Sequence, residues 1–117
     1  MNSISTLPLS MVRQAGDLVF ISGQLSLEGG KIVGDDIVAQ TDRALDGLAV
    51  QLTSVGLDFS DVVKTNVWIT SKANFAGFNT TYAARFTAPY PARSTVISDL
   101  VLDGALVEID AVAQLRP

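Results

Sequence analysis

VVKTNVWIT, Val62–Thr70, is the stretch on which the fold turns. It is rich in β-branched residues, carries a tryptophan and holds no glycine or proline, so it reads as a strand. Val63, Thr65, Val67 and Ile69 fall on one face, and Val62, Lys64, Asn66 and Trp68 on the other. On both sides the apolar period changes from two to about 3.6. Upstream, Ile37, Thr41 (through its methyl), Leu45, Leu48, Leu52 and Val55 recur at helical spacing. Asp35-Asp36 can cap that helix and Gly56 can end it, which predicts a helix over Asp36–Val55. Asp42, Arg43 and Asp46 fall off the stripe and read as its solvated face. Downstream, Phe75, Phe78, Tyr82 and Phe86 mark a second amphipathic helix whose aromatic stripe belongs to the core.

Working outward, Asp17–Ser22 (DLVFIS) is a further strand. Gly29-Gly30 are turn residues and Lys31–Val33 a short strand, which together signal a hairpin. The GGK there is not a phosphate loop, because Ile32 follows the lysine where Ser or Thr is required. Arg93–Ser98 and Leu106–Leu115 are the last two strands, joined through SDLVLDG. The order is β-β-α-β-α-β-β. Two right-handed crossovers that progress the same way across one sheet place both helices on one face. Leu106, Val112 and Trp68 then stand among charged and amide residues on the other. Burial against a partner removes such a half-apolar face from water, which predicts a homo-oligomer with sites where subunits meet.

The 117 residues, nearly half of them hydrophobic, fit one domain over 1–117. No apolar run reaches a membrane span, and MNSISTLPLSMVRQ lacks the pattern of a secretory signal. A cytoplasmic protein is expected, and the absence of cysteine fits that compartment. Without histidine or cysteine there is no Ser-His-Asp triad, no thiolate nucleophile and no histidine-based zinc site. A net charge of −4 offers no general attraction to nucleic acid. An anionic small molecule would need a local cationic anchor.

YPARSTV, Tyr90–Val96, supplies one. Arg93 shares a strand face with Thr95 and Ile97. One reading pairs it with Glu108 or Asp110 to fix strand register or a subunit contact. The other makes it a carboxylate clamp, since a guanidinium is a planar fork that matches a carboxylate bidentately. On the last strand, Val107, Ile109, Ala111 and Ala113 are all apolar and face the helices, so Glu108 and Asp110 face away. Glu108 is either an ion-pair partner or the general acid/base that a chain without histidine requires. Ser22 can donate to a ligand or satisfy a turn. Asn79 lies off the aromatic stripe of the second helix, where an amide is ordinarily exposed or capping.

Six stretches, in order and over nearly the whole chain, resemble the RidA/YjgF family of reactive-intermediate deaminases: GDLVFISGQL, VGDDIVAQT, DVVKTNVWIT, FNTTYAARF, PARSTV and GALVEIDAVA. The combination of SGQ, PARS and an EIDA-like last strand is the specific part. The resemblance implies a chorismate-mutase-like α+β fold and a homotrimer with inter-subunit sites. It also implies hydrolysis of 2-imino acids or enamines to 2-keto acids and ammonia, with no metal or organic cofactor. Position by position, Arg93 matches the arginine that holds the substrate carboxylate and Glu108 the glutamate associated with the hydrolytic water. Ser22 and Asn79 match pocket residues, and Thr95 stands where many members have cysteine. Two departures reshape the entrance. Leu9, after Pro8, replaces a tyrosine hydroxyl, and the connection from Tyr82 to Pro91 is shorter than in many members. Other roles open to such a chain are a non-catalytic binder of small carboxylates, a relative acting on another imine in a catabolic pathway, and RNA cleavage. The acidic balance argues against the last.

Overall fold

A computed structural model describes residues 7–117; the first six residues of the N-terminal stretch considered above lie outside them. The chain enters the sheet through a hairpin of Val12–Ala15 (β1) and Leu18–Gln24 (β2), with Ala15 opposite Leu18 across a two-residue loop. Gly16 takes φ +62° at the first loop position, as a type II′ turn requires. This corrects the expected hairpin. The Lys31–Ile32 strand (β4) pairs with Leu27–Glu28 (β3) in a separate two-stranded ribbon, not with Asp17–Ser22. VRQA is short and polar because β1 is an edge strand, and only the Gly-Asp pair after it signals the turn.

The first helix, Ile37–Ser54 (α1), begins and ends as its sequence dictates. The Asp36 side chain accepts the Ala39 N–H at 2.8 Å, and Gly56 adopts φ +76° just beyond Val55. Its stripe of Ile37, Thr41, Leu45, Leu48 and Leu52 is buried. The second helix, Phe75–Arg85 (α2), buries Phe78, Thr81 and Tyr82. Phe86 caps its C-terminus and stacks on Tyr82, while Phe75, at the first turn, stays exposed, unlike the rest of the expected stripe.

Three more strands complete the sheet: Val62–Ile69 (β5), Ala92–Ile97 (β6) and Val107–Gln114 (β7). The spatial order is β1-β2-β7-β5-β6, mixed, with β5 and β6 parallel and the other pairs antiparallel. The main sheet and its two helices thus keep the β-β-α-β-α-β-β order, with β1 in the place expected for Lys31–Val33. The core lies between the helices and one face, where Val19, Ile21, Val67, Ile69 and the four apolar residues of β7 are buried. A register shift between Val62 and Lys64 reverses the expected faces at the start of β5. Val62 is buried and Val63 exposed, because the bulge turns both side chains over. Beyond the bulge, Thr65, Val67 and Ile69 face the core as expected.

The opposite face is left uncovered, with Phe20, Val63 and Val96 exposed and Trp68 and Val112 half-buried among polar residues, whereas Leu106, expected on that face, packs against the core. The slab is only 19 Å thick against 40 and 38 Å in its other dimensions.

Gln40 ties α1 to the connection before β7. Its Nε2 donates to the carbonyls of Gly34 (3.1 Å) and Gly104 (3.0 Å), and its Oε1 accepts the Leu106 N–H at 2.8 Å. The amide is buried and uses both ends. Gln40→Leu keeps the volume and leaves three backbone groups without this partner, so we expect a loss of about 2–3 kcal/mol. Urea unfolding measures it, and a change below 0.5 kcal/mol, in the manner of an ordinary surface substitution, contradicts the role.

Candidate functional site

SGQ is the second bulge of the sheet. Ile21 pairs with Ala111 and Gln24 with Ile109, so Ser22 and Gly23 together oppose Asp110 alone. The bulge turns the end of β2 away from β7 and opens space beside Glu108. The Glu108 carboxylate packs directly on Gly23, where a Cβ would overlap its Oε2 and Cδ. Ser22 pins the incoming chain. Its Oγ donates to the Ser10 carbonyl at 2.6 Å and its N–H to the Met11 carbonyl at 2.9 Å. Gln24 is buried and donates to the Ser22 carbonyl at 2.9 Å, with its own amide oxygen set against Gly47 of α1.

These contacts build a cleft of about 570 Å³ that holds Glu108, Ser22 and Gly23 between walls carrying Leu9, Val50 and Leu102. Glu108 is half-buried and forms no ion pair among the described residues. Burial, and secondarily the negative charge of Asp110, pushes its carboxyl above the usual carboxylate range.

Arg93 stands elsewhere. In the parallel β5–β6 pair it lies level with Thr65, whose hydroxyl is 2.8 Å from the Tyr82 hydroxyl inside the core. Arg93 therefore projects to the helix side. Its guanidinium lies 5.0, 5.3 and 5.9 Å from the ring centroids of Tyr82, Phe78 and Phe75, within cation–π range of all three. It has no carboxylate within ion-pair distance among the described residues. A pocket of about 260 Å³ gathers it with Asn79, Tyr82, Tyr90 and Pro91.

The register separates the two charged groups. Glu108 lies opposite Trp68 and Asp110 opposite Asn66, both on the open face. Arg93 is on the helix face, so the ion pair of Arg93 with Glu108 or Asp110 does not form within the protomer. Asp110 instead accepts the Asn66 N–H at 3.2 Å. The structure brings Leu9, Ser22 and Glu108 to one cleft and Asn79 and Arg93 to another. Thr95, level with Val67, lines neither. The positioning residues Gly23 and Gln24 carried no role in the sequence reading. A glycine interrupting a strand was their signal.

Gly23 does not need a left-handed backbone, so Gly23→Ala strains only the Glu108 contact. We expect the variant to fold, with its Glu108 carboxyl displaced toward water and titrating closer to the usual range. An NMR titration indistinguishable from wild type contradicts this. Glu108 itself titrates higher in the folded than in the unfolded chain. Its effect on stability is therefore most favourable below the unfolded value and is lost as pH rises through the folded one. Glu108→Gln removes that loss, so its urea midpoint gains on wild type between pH 4 and pH 8. A difference constant with pH contradicts the burial of the charge.

The family model described as endoribonuclease L-PSP matches residues 2–115. The chain is 39% identical over 110 residues to the chloroplastic Reactive Intermediate Deaminase A of Arabidopsis thaliana, covering 92% of this chain and 59% of that longer protein. It is 33% identical over 112 residues to the 2-iminobutanoate/2-iminopropanoate deaminase of Mus musculus, covering 94% and 83%. The crystal structure of RidA from the Antarctic bacterium Psychrobacter sp. PAMC 21119 superposes with a TM-score of 0.87 at 28% identity, covering 94% and 90%.

Proposed function

The chain belongs to the endoribonuclease L-PSP family, the YjgF/RidA proteins, and on that premise we propose that it hydrolyses 2-imino acids or their enamine tautomers in sites shared between subunits of a homotrimer. The observation that carries this is the separation of Arg93 from Glu108. Each stands without an ion-pair partner among the described residues, and the two lie on opposite faces of one sheet. A site that uses both takes one from each of two copies. The uncovered sheet face and the deaminase names of two relatives support the same reading.

In such a site Arg93, steadied over Tyr82 and Phe78, grips the substrate carboxylate as a fork, and Asn79 stands beside it. The neighbouring subunit supplies Ser22 and Glu108. Water adds across the C=N bond, its oxygen bonding to carbon while nitrogen gains a proton. The carbinolamine then collapses as the hydroxyl proton leaves, the carbonyl forms, and the C–N bonding pair departs with ammonia. The sum is imino acid plus water giving keto acid plus ammonia. Glu108 relays the protons between water and nitrogen, and a carboxyl held above the usual range exchanges a proton more readily near neutrality. Holding water and the electrophilic imine carbon together supplies much of the acceleration.

The test generates imine in situ with an amino-acid oxidase and follows keto acid and ammonia. Arg93→Ala should lower kcat/KM by about 10–100-fold, the worth of a hydrogen-bonded charge, with Arg93→Lys between it and wild type. Glu108→Gln should lower kcat by about 10²–10⁴-fold, the range of general acid–base catalysis. Wild-type protein that clears imine no faster than buffer overturns the reading.

A further inference from the structure

The Glu108 cleft is far larger than a three- or four-carbon acid fills. At about 570 Å³ it lies within the range of pockets that enclose drug-sized ligands. Four separate elements wall it with apolar side chains: Leu9 from the N-terminal segment, Leu27 from β3, Val50 from the solvent side of α1, and Val101 and Leu102 from the connection before β7. Val50 is 65% exposed and Val101 96%, an uncommon outlay of apolar surface for a helix and a loop tip.

The other charged side chains that reach the cleft are already paired. Arg43 lies 3.3 Å from Glu28, and Asp46 lies 2.8 Å from Arg85. Glu108 is thus the one unpaired charged group among its described lining residues. The Arg43–Glu28 and Arg85–Asp46 ion pairs draw these charges toward other partners, so the walls between them and Glu108 offer no counter-charge to a polar substrate tail. The Gln40 amide fixes the root of the connection that carries Val101 and Leu102, at Gly104 and Leu106, so the apolar wall is anchored to α1. By contrast, the Arg93 pocket is about 260 Å³, less than half the volume of the Glu108 cleft at about 570 Å³.

We propose that this cleft receives the side chain of the substrate, and that the protein selects 2-imino acids with a bulky apolar side chain, such as those formed from leucine, methionine or phenylalanine, over those formed from alanine or serine. The proposal rests on the deaminase reading of the same site. Its chemistry is ordinary burial: each added methylene or ring that leaves water for the Leu and Val walls strengthens binding. One methylene in an apolar pocket typically discriminates by about 10–200-fold.

The test compares imines generated in situ from leucine, phenylalanine and alanine on the intact protein, with each rate corrected for spontaneous hydrolysis. A parallel calorimetric arm measures the binding of 4-methyl-2-oxopentanoate, phenylpyruvate and pyruvate. We expect kcat/KM for the leucine- and phenylalanine-derived imines to exceed that for the alanine-derived imine by at least about 10-fold. The larger keto acids should also bind tighter than pyruvate. Val50→Glu, an exposed helix position that tolerates the change, places a charge in the wall. It should lower the rate on the leucine-derived imine about 10-fold more than the rate on the alanine-derived one. Equal rates on all three imines overturn the selectivity while leaving the deaminase reading standing. If no imine is cleared faster than buffer, the deaminase reading falls. The binding arm then decides the selectivity: tighter binding of the larger keto acids upholds it, and equal or absent binding overturns it.

Discussion

Side chains on a strand alternate between the two faces of a sheet, and in this protein helices cover only one of them. That constraint acts most strongly on β7, the central strand of the five. Its core residues, Val107, Ile109, Ala111 and Ala113, are committed to the side of α1, and Glu108 and Asp110 are thereby committed to the open face. On β6 the same alternation commits Arg93 to the helix side, level with Thr65. A one-residue slip of either strand would exchange core and surface throughout it. Burial of the apolar sets therefore holds the two charged groups apart, and no side-chain rotation can bring them together within a chain.

Local devices adjust this frame where chemistry needs it. The Ser22–Gly23 bulge relaxes the β2–β7 ladder, and the missing Cβ of Gly23 leaves the space that Glu108 occupies. Ser22 spends its proton on the Ser10 carbonyl, so its hydroxyl offers a ligand only its lone pairs. Arg93 obtains partial compensation from aromatic faces and leaves its hydrogen-bonding fork open. A cation held this way keeps its orientation without a permanent carboxylate partner.

The elements with a clean period were legible in the sequence. α1 follows from 3.6-residue spacing with caps, α2 from the spacing of its aromatic residues, and β7 from strict alternation, which also placed Glu108 on the open face. β1 was not legible, because a four-residue polar edge strand has no apolar pattern to read. Bulges were not legible either, since one extra residue inverts every inference from alternation on its far side, as Val62 and Val63 show. At the site, the residue identities came from motifs, while their partition did not. Sequence grouped Arg93 with Thr95, but its face depends on where α2 lands, and only that placement separates Arg93 from Glu108. The aromatic stripe was assigned wholly to the core, yet the ring faces of Phe78 and Tyr82 serve as the platform for Arg93.

On the proposed reading, two half-sites meet only between copies. The most direct measurement is subunit complementation. Arg93→Ala and Glu108→Gln chains, each strongly impaired alone, are co-refolded in equal amounts and assayed on imine generated in situ. In a random mixture, roughly a quarter of the subunit contacts join an intact Arg93 to an intact Glu108, so activity should return to roughly a quarter of the wild-type value. A mixture no more active than its two components would mean that Arg93 and Glu108 do not serve one site.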